Sequence, residues 1–89
     1  MPNYQQIEKD LIPNLKTFKH SDSMRATIAD GFYQIWSYNT LLATICLSNP
    51  AIQWVNDEKY SRTTSRQQSI VKRALATFNS QPYTPAGGN

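Results

Sequence analysis

Hydroxyl side chains and arginines alternate at the start of one segment, Tyr60–Leu75, which reads YSRTTSRQQSIVKRAL. Ser65 with Gln68 matches the Ser-x-x-Gln capping box, in which the hydroxyl accepts a hydrogen bond from an amide in the first turn of a helix. Thr64 with Gln67 matches it equally well. The local chemistry therefore predicts a helix start, with its first residue uncertain by one position.

The same helix start suggests a second chemistry, the binding of an anion. Unpaired N–H groups and the helix dipole attract phosphate or carboxylate, and Arg62 and Arg66 would flank such a site with charge-assisted hydrogen bonds. A capping side chain uses some of the same N–H donors, so the two interpretations are compatible only in part. No glycine-rich loop precedes the helix, which excludes a nucleotide P-loop.

Catalysis has little support in this sequence. The single histidine, His20, lies in a predicted loop, and the single cysteine, Cys46, lies in an apolar strand where it is expected to pack as a small core residue. Asp57 and Glu58 are adjacent in a predicted turn. No cluster has the spacing of metal ligands, and no base lies near the hydroxyls of Tyr60–Leu75. We therefore predict a protein that is not an enzyme and has no cofactor or metal.

Length and composition predict one small domain with an apolar core. The 89 residues are 39% hydrophobic, and the single cysteine cannot form an internal disulfide. The polar N-terminus is unlike a signal peptide, and no apolar run approaches the roughly 18 residues that a membrane span needs. We expect a soluble cytoplasmic protein without a membrane partner.

Positive charge is concentrated in the C-terminal third. The net charge is +3, but residues 59–89 contain five basic residues and no acid, whereas residues 1–58 have a charge of −2. The five are Lys59, Arg62, Arg66, Lys72 and Arg73. Such a region could bind phosphate or an acidic protein surface, or it could be only a solvated helix face.

A hairpin is the clearest structural signal. Asp30-Gly31 is a preferred pair for a type I′ turn, because both central residues need a positive φ. This turn pairs Arg25 with Trp36 and Ala29 with Phe32. Side chains alternate across a sheet, so one hairpin face has a core-like set: Met24, Ala26, Ile28, Tyr33 and Ile35. The other has Arg25, Thr27, Phe32, Gln34, Trp36 and, by extension, Tyr38.

The second hairpin face is the main candidate binding surface. Its rings, Phe32, Trp36 and Tyr38, together with Arg25, could stack on bases of single-stranded nucleic acid while the basic helix start holds the backbone. Trp54 on a later strand could extend this surface. Alternatively, the rings are core residues beneath the first helix or a partner subunit.

The remaining elements complete an α+β domain. A short first helix is expected with Tyr4, Ile7 and Leu11 on one side, capped by Asn3 and ended by Pro13, and the segment after it is predicted to be a loop. A third strand would place Leu41, Ala43, Ile45 and Leu47 on one face, opposite Thr40, Leu42, Thr44 and Cys46. We predict a three- to four-stranded antiparallel meander packed on a C-terminal helix, with residues 1–78 as one domain and 79–89 as a flexible tail.

Two motifs resemble a known group of proteins. The pattern Ser-Tyr-x-Thr-x-x-Ala at Ser37–Ala43 and Tyr-Ser-x-Thr-Thr-Ser at Tyr60–Ser65 is similar to a family of small phage and mobile-element proteins of uncharacterised function. The resemblance covers about residues 32–75. Relatives commonly have His-Gln where this chain has Gln67-Gln68, so any chemical role of that histidine is absent here. The resemblance implies a phage origin more than an activity.

Three interpretations of the function stay open. The first is a phage-type binding protein for nucleic acid or a nucleoprotein complex. It would use Arg25, Phe32, Trp36, Tyr38, Arg62, Arg66, Lys72 and Arg73. The second is an anti-CRISPR or other anti-defence inhibitor that binds a host protein through the same rings. The third is a homo-oligomeric structural protein.

Overall fold

The computed structural model describes residues 2–79. Helix α1 (Tyr4–Gln6) continues into a π-helical segment (Ile7–Leu11), and five strands and a second helix follow. The strands are β1 (Phe18–His20), β2 (Met24–Ala29), β3 (Phe32–Ser37), β4 (Thr40–Cys46) and β5 (Gln53–Val55), and the helix is α2 (Arg62–Asn79). The strands form one antiparallel sheet in the order β1-β2-β3-β4-β5. The α+β class and the meander are confirmed, with five strands where three or four were predicted.

The β2–β3 hairpin has the predicted turn and register. Asp30 and Gly31 have φ values of 54° and 81°, as a type I′ turn requires. Arg25 pairs with Trp36, and Ala29 pairs with Phe32. This register places alternate residues of both strands on the same side of the sheet.

Strand β1 lies in a segment that was predicted to be a loop, and this prediction was wrong. Phe18 pairs with Ala26, and His20 pairs with Met24. Three residues are too few to show an alternating pattern. The strand forms because β2 offers an unpaired edge and Phe18 packs against the core.

A β-bulge in β4 changes which side chains face the core. Ile35 pairs with Ala43, but Trp36 pairs with Leu41, so Leu42 is an extra residue opposite β3. A bulge shifts the alternation by one position. Leu42 is therefore fully buried together with Ala43, and Leu41 lies beside Trp36. The predicted strand face that joined Leu41 to Ala43 is wrong for this reason.

The N-terminal helix has the predicted cap, and the predicted residues Tyr4, Ile7 and Leu11 all contact the core, with Ile12 as a further buried residue. The Asn3 side chain accepts a hydrogen bond from the Gln6 amide at 2.7 Å. The π-helical hydrogen bond from the Ile12 amide to the Ile7 carbonyl is 3.0 Å long. This wider turn brings two residues five positions apart onto one side, so Ile12 is fully buried with Ile7, while Leu11 is only partly buried.

Both helical regions pack on the same side of the sheet. Ile7 and Ile12 join residues of α2 and one face of the sheet in a single buried core. The α2 residues in this core are Ile70, Val71, Ala74 and Leu75, and the sheet residues are Met24, Ala26, Tyr33, Ile35, Leu42, Ala43 and Ile45. Helix α2 includes Asn79, the first residue of the predicted tail, and the rest of that tail lies outside the described residues.

Candidate functional site

One face of the sheet is uncovered within residues 2–79, and we call it the open face. The strand register places three cross-strand rows of side chains on it. They are Lys19–Arg25–Trp36–Leu41, then Thr27–Gln34–Thr44–Trp54, and then Ala29–Phe32–Cys46. All of these residues are exposed or half-buried. The relative exposure is 40% for Phe32 and 51% for Trp54.

The position of the first helix decides whether the aromatic rings of the open face are covered. That helix packs beside α2 on the core side of the sheet, so it does not cover Phe32 or Trp36. Arg25, Phe32 and Trp36 therefore share one accessible face. The sequence also indicated that Trp54 could extend this face. Lys19 and Leu41 were missed as members, because β1 and the bulge in β4 were missed.

Arg25 links the open face to the turn between β3 and β4. Its guanidinium carbon lies 5.2 Å from the centroid of the Trp36 ring, within range of a cation–π interaction. Its Nη1 donates a hydrogen bond of 2.5 Å to the Tyr38 carbonyl. Within residues 2–79 Arg25 forms no ion pair with a carboxylate. The remaining N–H donors of the guanidinium are available to a ligand.

Tyr38 adopts a backbone conformation that is unusual for its residue type. Its φ is 53°, in the left-handed region, where a bulky side chain is strained and glycine is preferred. Its ring is 52% exposed. Tyr38 lies in the turn after β3, and the hydrogen bond from Arg25 to its carbonyl helps to hold this turn.

A cleft of about 430 Å³ lies at this end of the sheet. It lies between the turn after β1 and the turn after β3. Its lining residues are Lys19, Ser21, Asp22, Arg25, Tyr38 and Asn39. Two are cations and one is an anion, and Lys19 Nζ lies 3.8 Å from Asp22 Oδ1. Both of these side chains are largely exposed, so the pair is weak and a stronger anion can displace Asp22.

The start of α2 differs from the predicted capping box. Ser61 caps the helix, because its carbonyl accepts from the Ser65 amide at 2.9 Å and its Oγ lies 3.4 Å from the Thr64 amide. The Thr64 hydroxyl is 3.2 Å from that of Ser37 on β3. The cap therefore lies three to four residues before the predicted caps, Thr64 and Ser65. The hydroxyl groups of this segment mainly hold the helix to its own first turn and to the sheet.

The glutamines of the two alternative capping boxes, Gln67 and Gln68, are buried and form hydrogen bonds with residues outside the helix. Gln67 Nε2 donates to the Tyr4 hydroxyl at 3.2 Å and to the Ser23 carbonyl at 3.1 Å. Gln68 Nε2 donates to the carbonyls of Asn56 and Glu58 at 2.8 and 2.9 Å. Neither side chain reaches back to the helix start, so the capping-box prediction is wrong. Gln67 Oε1 is buried without a hydrogen-bond partner within the described part of the chain.

The basic residues of α2 lie on the opposite side of the sheet from the open face. Arg66 stacks on the Tyr4 ring at 5.0 Å, and Arg62 is exposed near the cap. Lys72 forms an ion pair with Asp57, and Arg73 Nη2 lies 3.0 Å from Glu8 Oε1. These two pairs offset the charge of the later helix turns.

Within residues 2–79, the pKa values of Glu8 and Cys46 are lowered. The hydrogen bond from Arg73 holds the pKa of Glu8 below its ordinary value. The Ser48 hydroxyl, 3.2 Å from Cys46 Sγ, lowers the pKa of the thiol, with help from the backbone amides of Asn49 and Ser48. Burial raises the pKa of Tyr33, whose hydroxyl donates to the Lys16 carbonyl at 2.6 Å.

The side-chain contacts of His20 are with the N-terminal segment of the chain. Its Nδ1 lies 2.7 Å from the Pro2 carbonyl, and its ring lies 4.7 Å from that of Tyr4. These contacts hold the N-terminal segment against β1. Among residues 2–79 no group of three or more His, Cys, Asp or Glu side chains is placed to hold a metal ion. In the same range no helix has the length and hydropathy needed to cross a membrane.

Comparison of the chain with protein-family models, with curated proteins and with solved structures found no match. The geometry of the open face and the cleft is therefore the basis for a functional assignment.

Proposed function

We propose that this chain is a small non-enzymatic binding protein that takes single-stranded nucleic acid, alone or in a nucleoprotein complex, on its open face. In keeping with the resemblance to phage proteins, it would act in the cytoplasm of a host cell. One observation carries the proposal: an uncovered sheet face combines three aromatic rings with two cations. None of the five strands contains an aspartate or a glutamate.

The rings are spaced to stack on a short run of bases. Phe32 and Trp36 are four residues apart on β3, a distance of about 13 Å along a strand. Trp54 on β5 pairs with Thr44 on β4, so it lies about 10 Å to the side of β3. Aromatic rings on a sheet stack on bases with little sequence preference, which suits an open surface of this kind.

The cations of the open face provide the contact with the phosphate backbone. Lys19 and Arg25 lie directly opposite each other on β1 and β2. The start of α2 lies at the same end of the sheet but on its other side, because Thr64 contacts Ser37. Arg62 and Arg66 would therefore add positive charge around this end of the sheet. Lys72 and Arg73 would contribute less, because each faces a carboxylate.

Tryptophan fluorescence tests the proposal directly. A short single-stranded DNA and a short RNA are titrated into the protein at about 50 mM and about 200 mM salt, since neutralised phosphates release counterions and make affinity salt-dependent. We expect quenching that weakens at the higher salt concentration. A flat signal, with equally flat anisotropy of labelled strands at low salt, would contradict nucleic-acid binding.

Matched variants locate the site. Phe32→Ala should weaken binding by about tenfold, as expected for the loss of one stacked base. Arg25→Gln and Arg66→Gln each remove one positive charge, from the open face and from the helix side. If Arg66→Gln weakened binding more than Arg25→Gln, the binding site would lie at the start of α2. Lys72→Gln is the control whose affinity should stay closest to that of the wild type.

Exposed apolar groups favour a second function, an anti-CRISPR or other anti-defence inhibitor that binds a host protein. Ile52 is 58% exposed, and its carbonyl accepts from the Cys46 amide at 3.0 Å, beside Phe32. Together with Trp54 these residues form an apolar end suited to a protein interface. Flat titrations, combined with co-purification of a host protein that Phe32→Ala abolishes, would support this function. A dimeric elution volume would instead indicate a homo-oligomer.

A further inference from the structure

We propose that the cleft between the β1–β2 and β3–β4 turns binds a single nucleotide unit of the strand. Lys19 and Arg25 would hold the phosphate, and Tyr38 and Asn39 would hold the base. This inference rests on the proposed function and names a specific subsite within it. The cleft has a volume of about 430 Å³, and these four residues are among the six that line it.

The phosphate half follows from the cross-strand pair of Lys19 and Arg25. Like charges directly opposite on neighbouring strands repel, and this arrangement is destabilising unless an anion lies between them. In the structure each of the two side chains contacts another group. Lys19 faces Asp22 at 3.8 Å, and Arg25 donates to the Tyr38 carbonyl. A phosphate between them would remove the repulsion and use the remaining donors of both groups.

The base half follows from the ring of Tyr38, which is half exposed at the cleft wall. The φ of 53° places Tyr38 in the first central position of the two-residue turn between β3 and β4. A base can stack on this ring, while the Asn39 amide supplies both donors and an acceptor for its edge.

The two halves line the same cleft. Arg25 contacts the backbone of Tyr38, so the phosphate-binding group and the stacking ring belong to one connected site. The same guanidinium stacks on Trp36, which places the next ring of the open face beside the cleft. A strand entering the cleft therefore continues along β3 towards Phe32.

Amide chemical shifts in NMR spectra test the subsite with small ligands. A nucleoside 5′-monophosphate should shift the amides of Ser21, Arg25 and Asn39, and inorganic phosphate should shift fewer of them with lower affinity. Equal affinity for inorganic phosphate would overturn the assignment of the base half. The absence of shifts at the cleft with both ligands would overturn the proposal.

Two variants separate the subsite from the open face as a whole. Lys19→Gln and Tyr38→Gly should each weaken oligonucleotide binding by about tenfold, in line with the loss of one phosphate contact or one stacked base. Lys9→Gln, at an exposed position of the N-terminal helical segment, is the charge-matched control. Tyr38→Gly relieves the strained φ, so its fold should be retained, which a thermal melt verifies.

The outcomes distinguish this inference from the proposed function. If oligonucleotides bind and neither Lys19→Gln nor Tyr38→Gly changes the dissociation constant, the subsite is wrong and the open face stands. If the monophosphate shifts the cleft amides but no oligonucleotide binds, the subsite stands as a nucleotide site and the proposed function fails.

Discussion

The hydroxyl oxygens of Ser37 and Thr64 lie 3.2 Å apart, and both side chains are buried. This contact joins the end of β3 to the first turn of α2. It also joins the two sequence motifs, because Ser37 begins the segment Ser37–Ala43 and Thr64 belongs to Tyr60–Ser65. The hydroxyl-rich segment at Tyr60–Leu75 therefore has a role in the fold, and the binding surface proposed here lies mainly across the sheet from it.

Removal of this hydroxyl pair should destabilise the protein. Ser37→Ala leaves Thr64 with only the Ser61 hydroxyl, at 3.3 Å, and should lower the free energy of unfolding by about 1 kcal/mol. Urea denaturation of Ser37→Ala, Thr64→Val and the double variant should show coupling between the two positions. Ser69→Ala, at an exposed position, is the control. Additive losses would show that the two hydroxyls do not interact.

A substitution at Gly31 in the hairpin turn should lower the free energy of unfolding through the backbone conformation alone. A methyl group added at Gly31 would meet no atom within 4 Å, but the φ of 81° is unfavourable for alanine. Gly31→Ala should therefore lower the free energy of unfolding by about 1 kcal/mol. Gly31→Asn should lose less, since asparagine tolerates this region better. Equal losses in thermal or urea denaturation would point to a cause other than φ.

The Glu8–Arg73 pair predicts a specific pH dependence of stability. Because the folded pKa of Glu8 is below its ordinary value of 4.5, its stabilising contribution is present above that pH and is lost as pH falls through the folded pKa. Arg73→Gln should cost up to about 1 kcal/mol at neutral pH, with the difference from wild type shrinking below pH 4.5. Lys16→Gln, which also removes one positive charge, is the control. A difference that stays constant with pH would exclude the ion pair as the cause.

The Cys46 thiol should react faster than an unperturbed thiol at neutral pH. The Ser48 hydroxyl lowers its pKa, and the thiolate is the reactive form. Ser48→Ala should slow alkylation by iodoacetamide, whereas Ser65→Ala should leave the rate unchanged. Because Cys46 lies opposite Phe32 on the open face, a bound oligonucleotide should also slow the reaction. Unchanged alkylation in a complex with the oligonucleotide would place the ligand elsewhere.

Local signals in the sequence predicted the elements that local chemistry determines. Asp30-Gly31 identified the hairpin and its register, and Asn3 identified the first cap. The bulge at Leu42 left no such signal, because one extra residue changes neither composition nor spacing until the pairing with β3 is known. The start of α2 was misplaced because several hydroxyl residues stand in a row, and only the contact with Ser37 and the buried Gln68 select Ser61 as the cap.

Only the part of the candidate site that depends on local alternation was predicted. The side chains of Arg25, Phe32 and Trp36 were assigned to one hairpin face, since alternation in a strand is a local property. Whether a helix would cover that face depends on the packing of distant segments. Lys19 could not be included without β1, and the ion pair of Arg73 with Glu8 joins residues 65 positions apart.

The placement of both helical regions on one side of the sheet separates two kinds of evolutionary constraint. Substitutions on the covered side must preserve a closely packed core, where the loss of a few methylene groups costs several kcal/mol, about half of a small domain's stability. Substitutions at Phe32, Trp36 or Trp54 face no such demand, because water already reaches these positions. A lineage of such chains can therefore vary the side chains of the open face while the scaffold stays the same.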